Sequence, residues 1–237
     1  MYDSSRPSVD QRGESRPVDT PTFFFIDIPP DQVHGISRLL RERVAAHTPS
    51  LTPLVRSRLV AVNGQPVKTE ALSEEEERTA LAADKDQRRK TWYLTREYVL
   101  TFLDQLPKDN VIVKGRWWTS GQTFSLPMIS IEEEAAKALG VDIGQTIELD
   151  IQGTPLVAEV SSIRKVEWGN FSTNFYMVLS PGALDGAPLT YVATVQVPPS
   201  DEVSLQQAIV AKFPNVTAIN IGDVLDSFAR ILDRLSL

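Results

Sequence analysis

Residues 22–46, Thr-Phe-Phe-Phe-Ile-Asp-Ile-Pro-Pro-Asp-Gln-Val-His-Gly-Ile-Ser-Arg-Leu-Leu-Arg-Glu-Arg-Val-Ala-Ala, change their hydrophobic period part-way along. The run Phe23 to Ile28 is too short for a helix and is closed by Pro29 and Pro30, which predicts a buried strand. Pro30 suits the first turn of a helix and Asp31 suits its positive end. Val33, Ile36, Leu39, Leu40, Val44 and Ala45 then recur at three- and four-residue spacing, so 31–46 is expected to be an amphipathic helix lying on a sheet. Beyond Pro49 and Pro53, Val55 to Val62 alternates as a strand and ends at Asn63-Gly64, a strong turn signal. The stretch is a β-α-β unit.

The same texture returns near the other end. Thr190 to Val197 is expected to be a strand, Ser200 to Phe213 a helix, Val216 to Ile221 a strand, and Gly222 to Leu237 a helix. That last helix carries the apolar stripe Val224, Leu225, Phe228, Ile231, Leu232 and Leu235, which either packs on the sheet or belongs to a longer helix. Between these units the pattern is β-rich. Trp92 to Leu100 is expected to be a strand, as are Thr146 to Ile151, Leu156 to Trp168 and Asn174 to Leu179, with a turn at Gln152-Gly153. Ser130 and Glu133 have the spacing of a capping box, and Gly140 is a natural helix stop. The expected class is α+β: a discontinuous α/β domain built from 22–106 and 189–237, with a smaller β-rich lobe, 107–188, inserted in it. Residues 1–21 are polar and aperiodic and are expected to be a disordered leader, and 69–90, with four consecutive glutamates at 74–77, an exposed and partly helical excursion.

Composition narrows the function classes. The 237 residues carry 24 Lys+Arg against 31 Asp+Glu, a formal charge of −7, and show no basic patch interleaved with aromatics, so nucleic acid is not an expected partner. With 42% hydrophobic residues the chain can bury a core. It contains no cysteine, so no disulfide, thiolate metal site or Cys nucleophile is possible. No signal-peptide pattern follows Met1, and no stretch approaches the roughly 18 uninterrupted apolar residues of a spanning helix.

The familiar catalytic constellations are missing too. The sequence has no phosphate-binding Gly-x-x-x-x-Gly-Lys loop, no Gly-x-Gly-x-x-Gly fingerprint and no Gly-x-Ser-x-Gly elbow. Its two histidines, His34 and His47, are separated by most of a helix and a loop and are read as surface residues, so no His-based metal site and no cofactor are expected. A carboxylate pair of glycosidase type needs only spacing, but the acids cluster at 74–77, where a solvated face explains them. Two aromatic patches stand out. Trp117-Trp118 either forms a ligand-stacking platform or, because adjacent strand residues point to opposite faces, sends one ring to the core and the other to a lobe boundary. Arg164 to Phe171 is a strand end running into a loop, with Trp168 either a packing anchor or a binding residue.

Taken in order, several segments resemble a known family. They are Phe23 to Gln32, Arg58 to Gly64, Gly115-Arg116-Trp117-Trp118, Ile131-Glu132-Glu133 through Leu139 to Gln145, Arg164-Lys165-Val166-Glu167-Trp168 with Asn174-Phe175, Ser180-Pro181-Gly182-Ala183-Leu184, and Phe213-Pro214-Asn215-Val216. The chain from about Thr22 to Leu237 resembles the large extracytoplasmic domain of FtsX/MacB-type ABC transporter permeases, the YbbP-like branch in particular. The resemblance implies a porter-like α/β lobe with an inserted β-rich lobe. It also implies a non-enzymatic domain outside the inner membrane, in the periplasm, soluble when excised, that passes ATPase-driven transmembrane motion to a substrate or partner, with lipid-like or hydrophobic cargo in view. The implied partners are an ABC ATPase subunit, a second permease copy or homologue, and a secreted esterase or thioesterase. Transmembrane helices are expected on both sides of the segment. Trp117, Trp118, Arg164, Trp168, Asn174 and Phe175 become the candidate interaction or lobe-boundary residues. The rival is a free-standing periplasmic binding protein or hydrolase that uses the cleft between lobes.

Overall fold

The structure, a computed structural model, describes residues 20–44, 48–67 and 85–235. The expected leader, most of the acidic excursion and His47 lie outside the described residues, as do the side chains of Ile231, Leu232 and Leu235. The chain is a mixed α/β protein that divides into two compact units, each assembled from separated segments.

The first unit comprises the described residues up to Pro53, Trp168–Thr173 and the chain from Leu189 onward. Its centre is β1 (Phe23–Ile28), flanked antiparallel by β10 (Thr190–Val195) and β11 (Thr217–Asn220). Both neighbours run opposite to β1, so β10, α4 (Glu202–Lys212) and β11 make a β-α-β crossover with β1 inserted between its strands. Helix α1 (Val33–Arg43) presents Ile36 and Leu40 to this sheet, where they meet Phe23, Phe25, Leu205 and Ile209 in one buried cluster. The period of three to four that predicts α1 is thus the period of its core contacts. Gly35 leaves room for Phe213, just past the end of α4, since a Cβ there would meet its ring at 2.9 Å. The final helix, α5, spans Ile221–Leu235; Ile221 is buried, whereas Val224 and Phe228 are exposed.

The second unit comprises Leu54–Glu167 and Asn174–Pro188. Here β2 (Ser50–Val62) pairs with β4 (Glu97–Phe102) through Val55 to Arg58, and with β7 (Thr146–Ile151) through Arg58 to Val62. Strand β4 runs parallel to β9 (Met177–Leu179), β9 antiparallel to β6 (Met128–Glu132), β6 parallel to β8 (Thr154–Val166), and β8 antiparallel to β7. The pairings close a ring of six strands, a barrel without an open edge between its members. Alternate residues fill it: Val55 and Leu59 from β2, Ile147 and Leu149 from β7, Ala158 and Val160 from β8 are all buried. A short β3 (Gln65–Pro66) folds back on β2 across Asn63-Gly64, and β5 (Asn110–Gly115) lies along the far half of β8.

Several expectations need correction. The division between units falls at Pro53, not near residue 106, because β2 and β4 pair with β7 and β9 and so belong with the β-rich unit. Trp92 to Leu100 is not one strand. Helix α2 (Lys85–Thr95) carries Trp92 and Tyr93, and β4 begins only at Glu97. Ser130 is not a helix cap: it is buried in β6, where its Oγ accepts a 2.8 Å hydrogen bond from Ser162 Oγ. The cap of α3 (Glu133–Leu139) is Glu132, whose carboxylate accepts from the Ala135 N–H at 2.9 Å, while Gly140 ends the helix at φ 66° as expected.

Candidate functional site

The segment that carries Trp117 and Trp118 leaves β5 through Gly115, whose φ of 75° favours glycine. A Cβ at that position would lie 2.2 Å from the Ser161 carbonyl oxygen. This approach lets the Arg116 N–H donate to that same carbonyl at 3.1 Å. The chain then leaves the strand, so strand alternation no longer separates the two tryptophans. Instead Trp117 Nε1 donates to the Asp104 carbonyl at 3.0 Å and Trp118 Nε1 to the Leu103 carbonyl at 2.8 Å. Their rings face each other in a tilted stack, centroids 4.0 Å apart and planes 33° apart. Trp118 is buried and Trp117 partly buried, both beyond the end of β5.

Trp118 is buried in a cluster with Phe175 and Val178, against which Trp117, Phe124 and Met128 pack. Ser120 Oγ donates to Asp104 Oδ2 at 2.6 Å, and that bond, with a second from Gln105, holds the Asp104 carboxyl below its ordinary range. Above the indoles opens a cleft of about 650 Å³. Its aromatic floor is bordered by Arg116, Gln122, Glu159 and Ser161.

Arg164 joins this cluster from the other side. It is fully buried on β8 next to Glu132 of β6, its partner in the parallel register. Nη1 donates to Asn110 Oδ1 at 2.9 Å and Nη2 to the Phe175 carbonyl at 2.5 Å, while Nε has no partner. Asn110 donates onward to Asn174 Oδ1 at 3.0 Å, and Asn174 donates to Asp109 Oδ2 and to the Glu167 carbonyl, each at 3.1 Å. The guanidinium thereby fixes the start of β5, the end of β8 and the approach to β9. Burial lowers the Arg164 pKa to about 10, with the Glu132 and Asp109 carboxylates acting in the opposite direction. Glu132 is raised, chiefly by burial, against the pull of the Ala135 N–H and Arg164. Among the described residues no cluster of three metal-ligating side chains occurs.

Five of the six sequence-selected residues, Trp117, Trp118, Arg164, Asn174 and Phe175, thus lie in the second unit, linked through Phe175. Trp168 lies in the first unit, about half exposed on a 3-10 turn. Sequence patterning misses Arg96. Its guanidinium carbon sits 4.1 Å from the Trp92 ring centroid, 4.4 Å from Tyr176 and 5.4 Å from Tyr98. The signal was the Trp92-Tyr93-x-x-Arg96 spacing, visible only if 85–95 is read as a helix. Asn110 and Asp109 were missed because they meet their partners only through long-range pairing.

No family model matches the chain. The uncharacterized ABC transporter permease YbbP of Escherichia coli (strain K12) is 30% identical over 217 residues, which is 92% of this chain. By sequence, this segment is similar to part of that ABC transporter permease. The chain spans 24% of the length of that permease. Among solved structures, the periplasmic region of MacB from Actinobacillus actinomycetemcomitans aligns over 88% of this chain and 92% of its own, at 12% identity and a TM-score of 0.46. A domain described as that of a permease protein from Porphyromonas gingivalis aligns over 84% and 88%, at 11% identity and a TM-score of 0.41. No helix among the described residues is long and apolar enough to cross a membrane.

Proposed function

We propose that this chain is the extracytoplasmic domain of an ABC transporter permease, standing in the periplasm and carrying motion rather than performing catalysis. The supporting observation is the match of 92% of the chain to about a quarter of a YbbP-type permease. In this reading the remainder of the permease supplies the membrane spans, and a separate ATPase subunit drives them. The unit containing β1, β10 and β11 is the porter-like lobe and the barrel is the inserted lobe. A second permease copy or homologue completes the transporter, and the cargo or partner is handled outside the membrane, with a hydrophobic or lipid-like molecule as the cargo class.

Two rigid folds suit such a task. The Arg164 network leaves few soft joints inside the barrel, so a displacement applied to one end reaches the other instead of being absorbed. The test uses the intact permease with its ATPase in lipid nanodiscs. Spin labels on exposed Val111 and Val203 report the distance between units with and without ATP plus vanadate. A nucleotide-dependent shift in the distance distribution is expected, and distributions that superimpose in both states would remove the mechanical role.

A further inference from the structure

We propose that the cleft over Trp117 and Trp118 binds a neutral saccharide. Three observations carry this. Both indole N–H groups are already spent on the Asp104 and Leu103 carbonyls and Trp118 is buried, so what the partly exposed Trp117 ring offers to the cleft is apolar and π surface. The apolar faces of a pyranose ring stack on such a surface. Second, polar groups make up much of the border: the Gln122 side-chain NH2, whose Oε1 already accepts from the Thr119 N–H; the Thr119 hydroxyl; the Ser120 hydroxyl oxygen, whose proton is given to Asp104; and the Ser161 hydroxyl, whose oxygen is buried without a hydrogen-bond partner. Donors and acceptors mixed around an aromatic floor match a ring of hydroxyls, and they disfavour an alkyl chain, which would leave those groups desolvated and unpaired. Third, the only charged residues lining the cleft are Arg116 and Glu159, and neither forms an ion pair among the described residues. One charge of each sign favours a ligand without net charge, while both remain strong partners for hydroxyl groups.

The cleft volume of about 650 Å³ lies within the range of small-molecule sites and admits more than a single sugar ring. Phe124, Met128 and Ile143 extend the apolar part of its lining. The inference goes beyond the proposed transport role and does not depend on it: a saccharide site on the barrel could serve a permease as a contact to a glycan, or a protein of any other kind.

Isothermal titration and ¹H–¹⁵N NMR with chitotetraose, maltotetraose and, as the competing chemistry, dodecylphosphocholine below its micellar concentration test this directly. Saturable binding of at least one tetrasaccharide is expected, with amide shifts at 116–124 and 159–161. Trp117→Ala should weaken it at least tenfold and Trp168→Ala should leave it unchanged. Gln122 is exposed, so Gln122→Ala provides a variant whose folding is not at issue and should weaken binding severalfold. Absence of binding by either sugar at millimolar concentration, sugar binding indifferent to both Trp117→Ala and Gln122→Ala, or shifts at these residues produced by the amphiphile alone would each overturn the assignment.

Discussion

The Arg164 guanidinium and the Phe175 carbonyl are joined by a 2.5 Å hydrogen bond that closes the loop between β8 and β9. Its partner bond to Asn110 reaches 54 residues back along the chain. Truncating this side chain strands the Phe175 carbonyl and the Asn110 amide and leaves the Glu132 carboxylate buried without its counter-charge. Arg164→Ala is therefore expected to cost about 3–5 kcal/mol, as for other broken buried charge networks. Urea denaturation measures it, and a loss below about 1 kcal/mol would mean that solvent reaches the network.

Gly115 should be the least replaceable glycine. Gly115→Ala combines a left-handed backbone with a clash against a backbone carbonyl, whereas Gly64, at φ 74°, faces open space. The Gly64→Ala cost is about 1–2 kcal/mol from the conformation alone, and Gly115→Ala should exceed it. Thermal unfolding of the two variants side by side decides this, and equal shifts in Tm would show that the Ser161 carbonyl can move aside.

Glu132 sets a pH dependence with a definite sign. Its carboxyl is raised on folding from an ordinary value of 4.5, so the native state holds the proton more tightly than the unfolded chain. Its contribution to stability is fully present below 4.5 and is lost as pH rises through the higher folded-state value. Glu132→Gln should flatten that part of the stability profile. The check is the wild-type minus variant difference in unfolding free energy across the acid range, and a difference that grows with pH would reverse the sign.

Arg96 braces the end of α2 against the barrel through ring faces. A double-mutant cycle between Arg96→Ala and Trp92→Ala is expected to give a coupling of about 0.5–2 kcal/mol. High salt should change it little, since among the described residues no carboxylate pairs with Arg96. Independent, additive losses would reduce the cage to coincidental packing.

Much of the fold was legible where its causes are local. The β1 strand, the α1 period, the Asn63-Gly64 and Gln152-Gly153 turns and the Gly140 stop each depend on a few adjacent residues, and each is found in the structure. What was not legible depends on pairing. Residues 54–106 resemble an α/β lobe in texture, but their allegiance is set by β7 and β9, more than forty residues further on. Ser130 has the composition of a cap; the partner that keeps it in a strand, Ser162, is 32 residues away. Trp117 and Trp118 stand out in the sequence as an aromatic patch, while their stacking depends on a backbone turn that a strand pattern conceals.

The closed ring of strands sets an order on synthesis. β9, the last strand of the ring, ends at Leu179 and is the sole link between β4 and β6. Until the ribosome has released that stretch, a nascent chain carries two unpaired strand edges rich in β-branched and aromatic residues. β1, the earliest of these strands along the chain, waits still longer for β10 and β11. The barrel unit is complete only at Pro188, and the first unit needs strands made after that, so the polypeptide emerges as a sticky intermediate that needs shelter until its final quarter appears. A truncation ending before Leu179 should therefore accumulate in aggregates rather than as a smaller folded domain.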